Sequence, residues 1–138
     1  MTPTTALREP AWLLQNQLNP FPVAGELALA DGRLSFTLTA MAADASLGWL
    51  EKQLDAPDLE ARVRAGEAVV AFDLAAADLD VDWPLSLGKV GMKIRTDRNW
   101  VVSLDYPSGG AIWQTVNLIT GRKKAKAWRD ALAAAGAR

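Results

Sequence analysis

The residues from Val23 to Leu38 constrain the fold more than any others. Leu27 and Leu29 alternate with Glu26 and Ala28, and Leu34, Phe36 and Leu38 alternate with Arg33, Ser35 and Thr37. A period of two places each apolar set on one face of an extended strand. Asp31-Gly32 joins the two runs. A two-residue Asp-Gly link between alternating runs is the strongest short-range hairpin signal, because Gly adopts positive φ cheaply and the primed turn matches strand twist. The pattern predicts strands over about 24–30 and 33–40.

Elsewhere the period changes several times. Leu7, Trp12, Leu14 and Leu18 stand near helical spacing, and Asn19-Pro20 would stop a helix, so the pattern predicts a short helix over about 11–17 in an N-terminal arm, 1–22. Leu47, Leu50 and Leu54 share one helical face, with Asp44 as the expected N-cap, and a second short helix is expected over 59–65. Strand patterns return over about 68–74, 79–83, 90–95 and 100–106, with turn residues between them, which predicts an antiparallel meander. After Pro107 the chain reads as helix, with Trp113, Val116, Thr120, Ala125, Trp128, Leu132 and Ala135 at intervals of three to five. Its last four residues, Ala-Gly-Ala-Arg, are expected to form a C-cap and a frayed tail.

With 138 residues, half of them hydrophobic, and a net charge of −1, the chain is expected to fold as one core-forming domain, 23–138, preceded by the arm. It contains no His and no Cys. Disulfides, thiolate nucleophiles, Ser-His-Asp and Cys-His triads, and imidazole switches therefore cannot be built from it. No basic segment followed by an apolar one opens the chain, so the expected address is the cytoplasm.

Three groups of residues carry a family likeness. They are Gly25-Glu-Leu-Ala-Leu-Ala-Asp-Gly-Arg-Leu-Ser-Phe36; Val70-Ala-Phe-Asp-Leu74 with Leu79-Asp-Val-Asp-Trp-Pro84 and Gly91-Met-Lys-Ile94; and Trp128-Arg-Asp-Ala-Leu132. In the order hairpin, helical insert, meander and terminal helix, the chain resembles the bacterial pleckstrin-homology-like (PH-like) domains of GRAM type, as found in small actinobacterial proteins. The likeness covers about residues 23–135. It implies a mainly β (α+β) fold: a barrel or sandwich of antiparallel strands, with a helical insert at about 41–66 and a C-terminal helix capping the open end. Trp113, Val116, Trp128 and Leu132 supply the bulk that such a cap requires. In phosphoinositide-binding relatives a long basic loop follows the first strand. Here that loop is Asp31-Gly32 with Arg33 beside it, so no lipid-site residue is carried over.

Two charge patterns bear on function. Asp78, Asp80 and Asp82 recur at strand spacing, which would suit either a divalent-cation patch or a solvated sheet face opposite Lys93 and Arg95. Residues 1–85 hold five basic and thirteen acidic residues, a net −8, whereas 86–138 hold ten and three, a net +7. Lys89, Lys93, Arg95, Arg98, Arg122, Lys123, Lys124 and Lys126, with Arg129, could make one surface for anionic lipid if they faced one way. Ser108-Gly109-Gly110 lacks the Lys-Ser/Thr of a phosphate loop and reads as a turn. Nucleic acid is disfavoured, because the Trp residues sit at core positions and the chain is slightly acidic. The expected function is a non-catalytic interaction module that docks to a partner protein, without cofactor or metal. The first alternative is peripheral binding to anionic lipid at the inner membrane face. A small hydrolase or ligand-binding barrel built on Asp residues is the alternative of another class.

Overall fold

A computed structural model describes residues 7–14, 23–39, 47–83, 91–96, 99–104 and 115–138, with side chains in the last helix described from Lys123 onward. The fold is mainly β. Among the described residues seven strands, β1 (Leu7–Leu14), β2 (Val23–Ala30), β3 (Arg33–Leu38), β4 (Val69–Ala75), β5 (Asp80–Asp82), β6 (Gly91–Arg95) and β7 (Asn99–Ser103), form one antiparallel sheet in the order β4-β3-β2-β1-β7-β6-β5. Helices α1 (Gly48–Leu54), α2 (Leu59–Arg64) and α3 (Thr115–Ala134) complete it. The expected Asp44 cap, Trp113 and the strand ends at 40, 90 and 105–106 lie outside the described residues.

The β2–β3 hairpin forms as the sequence predicts. Asp31 and Gly32 both take positive φ, 53° and 74°, and the register runs from Ala30↔Arg33 to Gly25↔Leu38. Gly25 serves a different purpose, because a β-carbon there would lie 2.4 Å from Phe36 Cε1 and 2.6 Å from the Thr37 carbonyl oxygen. The backbone of β2 comes that close only because this residue has no side chain.

The expected helix over 11–17 is not formed at residues 11–14, which belong to strand β1. β1 pairs with β2 along Leu7–Leu13 and with β7 only at Trp12–Leu14, so it lies inside the sheet rather than in a separate arm. Pro10 is tolerated because the pairing with β7 begins two residues later; a proline cannot donate to a ladder and fits where its nitrogen faces away from a partner strand. Leu7, Glu9, Ala11 and Leu13 share the inner face, a weakly apolar alternation that the spacing of the leucines obscures.

The sheet is curled. β4 and β5 are its two edge strands, yet only Ala76–Leu79 separate them in sequence. Five residue steps span at most about 18 Å, whereas the outer strands of a flat seven-stranded sheet would stand about 29 Å apart. Side chains agree: Phe72 on β4 and Trp100 on β7 are four strand spacings apart along the sheet, but their ring centroids are 5.0 Å apart. The inner face thus folds onto itself and encloses Leu27, Leu34, Phe36, Met92, Ile94 and Val102. Between β3 and β4 the register slips after Phe36, so that Ala71 and Phe72 both turn inward. Such a bulge bends the strand and adds twist.

The helices close this interior. Leu47 and Leu50 of the α1 segment and Leu59 and Val63 of α2 enter the core. Asp55, with φ 53°, ends α1 in the left-handed conformation. From α3, Ala125, Trp128 and Leu132 enter, one face at spacings of three and four. Trp128 is 1 % exposed and is the largest fully buried side chain among the described residues. Among the described residues its indole N–H finds no acceptor, and neither does that of Trp49.

Candidate docking edge and charged surface

The charged side chains meet where the acidic first part of the chain lies beside the basic second part. In the β5–β6 register Asp80 stands opposite Arg95 and Asp82 opposite Lys93. Arg95 donates to the Asp82 carboxylate, and Arg138 Nε lies 3.2 Å from Asp80 Oδ1. Asp78 sits in the 3-10 turn Ala76–Asp78 rather than on the strand, so it does not extend that row. Among the described residues no group of three or more acidic side chains forms that could hold a metal ion.

The basic residues are distributed over different elements. Lys93 and Arg95 lie on β6 and face the β5 carboxylates. Lys124 of α3 reaches within 4.0 Å of Glu9 on the inner face of β1. Arg129 lies 5.3 Å from the centre of the Trp83 ring, a cation–π arrangement that ties α3 to the end of β5. Lys123 and Lys126 are exposed. Lys89, Arg98 and the side chain of Arg122 lie outside the described residues. Hence Arg95 and Lys124 meet acidic partners in this fold, while Lys123 and Lys126 project to solvent.

Further ion pairs brace the remaining surface. Arg8 bonds Glu26 across β1 and β2 at 2.9 Å, and Arg64 bonds Glu60 one turn away on α2 at 2.7 Å. Arg62 bonds Glu67 at 2.9 Å. That hydrogen bond and the guanidinium charge hold the Glu67 carboxyl below its ordinary range, and the same partner raises Arg62. These pairs are solvent-exposed, where water screens such interactions and each contributes little.

The two sheet edges are treated differently. On β4, Val70 is 53 % exposed, and Arg33 crosses the strand to bond both the Asp73 carboxylate at 2.8 Å and the Asp73 carbonyl at 3.1 Å. A bulge and a guanidinium on an outward carbonyl both blunt an edge against unspecific pairing. On β5 the edge is occupied by main chain. Val81 N–H donates to the Arg138 carbonyl at 2.7 Å, and Arg138 N–H donates to the Leu79 carbonyl at 2.9 Å. This is the pattern of a parallel strand pair spanning Asp80.

The expected frayed tail is therefore a strap. Its delivery depends on a Schellman turn. Ala137 N–H bonds the Leu132 carbonyl and Gly136 N–H bonds the Ala133 carbonyl, while Gly136 takes φ 99°. The sequence signals the glycine cap, but nothing in local pattern reveals that the next two residues reach a strand more than fifty positions upstream.

Set beside known proteins, the chain matches no family model, no curated protein and no solved structure. Among the described residues no helix is long and apolar enough to cross a membrane.

Proposed function

We propose that this chain is a non-catalytic, PH-like interaction module that docks to a partner protein. The observation that carries the reading is the β5 edge, which already takes up an extended main chain through two hydrogen bonds and an ion pair. The strand order, the curled sheet and the buried Trp128 of the closing helix support the PH-like assignment. Asp80 and Asp82, the carboxylates weighed for acid–base chemistry, are each matched by a guanidinium on an exposed surface.

Site-specific photo-crosslinking in cells tests the reading, with the crosslinker placed in turn at Asp80, Val70 and Lys126. A discrete adduct of one protein, formed from one of these faces and not from the others, is the expected result. Absence of any adduct from all three faces overturns it. The alternative of peripheral lipid binding draws on the exposed Lys123 and Lys126. It predicts salt-sensitive pelleting with vesicles containing anionic lipid, lost when both lysines are reversed to Glu. Each Lys near such a surface is worth about 1 kcal/mol, so two alone give weak attachment.

A further inference from the structure

We draw no further inference here: the strongest candidate, the outer edge of strand β4 around the exposed Val70, carries nothing because nothing among the described residues shows what covers it.

Discussion

Replacing Trp128 by Ala tests whether α3 closes the curled sheet. The side chain is 1 % exposed and packs in the main core with Ala125 and Leu132 from its own helix. Burying an indole removes about 200 Å² of surface from water, worth about 5 kcal/mol at 25 cal/mol per Å². Measured Trp-to-Ala losses in cores run at about 3–5 kcal/mol, because the site relaxes in part. A loss of about 4 kcal/mol at a urea slope of about 2 kcal/mol per molar lowers the unfolding midpoint by about 2 M. Trp128→Phe separates packing from hydrogen bonding. The Trp128 N–H has no acceptor among the described residues, so Phe forfeits no hydrogen bond seen there and loses part of the ring. Its expected cost is about 1–2 kcal/mol, well below that of Ala, because Phe leaves only a small cavity where the five-membered ring stood. Urea unfolding followed by far-ultraviolet circular dichroism gives both midpoints. An unchanged midpoint for Trp128→Ala would refute the reasoning, since the helix would then not close the sheet.

Three further changes probe other parts of the fold. Gly25→Ala forces a β-carbon against Phe36 and the Thr37 carbonyl oxygen, and backbone cannot yield cheaply. A loss of about 3 kcal/mol, seen as a fall of about 10 °C in Tm, is expected. A β-carbon at Gly32 meets no atom within 4 Å, so the cost of Gly32→Ala is conformational alone, at φ 74°. That substitution should cost about 1–2 kcal/mol in chemical unfolding, and Gly32→Asn less. Glu67→Gln tests the pH linkage. The folded carboxyl titrates below its ordinary 4.5, so its contribution is present at neutral pH and is lost as pH falls through the folded value. The midpoint difference between wild type and Glu67→Gln should therefore be small at pH 7 and vanish in acid.

Much of this architecture is legible in the sequence where local signals and tertiary pairing agree. Asp31-Gly32 fixes the hairpin because its turn chemistry and the flanking alternation make the same demand. Trp128 and Leu132 read as core because the helical period holds them on one face. The acidic and basic runs on β5 and β6 are recognisable as opposed faces, and Asp82↔Lys93 and Asp80↔Arg95 are the realised pairs. β1 is misread for a physical reason. Glu9 and Ala11 occupy inner-face positions, so its alternation carries little hydrophobic contrast, and Pro10 imitates a helix boundary. Pairing with β2 along seven consecutive residues, and with β7 along three, makes it a strand. The strap is hidden for a related reason: a single residue forming two long-range main-chain bonds leaves no periodic trace.

The charge asymmetry then acquires a structural meaning. Excess acid in residues 1–85 and excess base in 86–138 would each oppose folding of its own segment by self-repulsion. The fold sets them against each other at β5–β6, at Glu9–Lys124 and at Asp80–Arg138. Each exposed pair contributes little alone, about 0–1 kcal/mol, but all three act between the two halves of the chain. They favour the one arrangement in which α3 crosses from β1 to β5. That arrangement lays the last residue on the β5 edge. Held by one exposed ion pair and two main-chain bonds, that edge is closed to casual pairing. Charge distribution here therefore serves the packing of the two halves of the chain against each other.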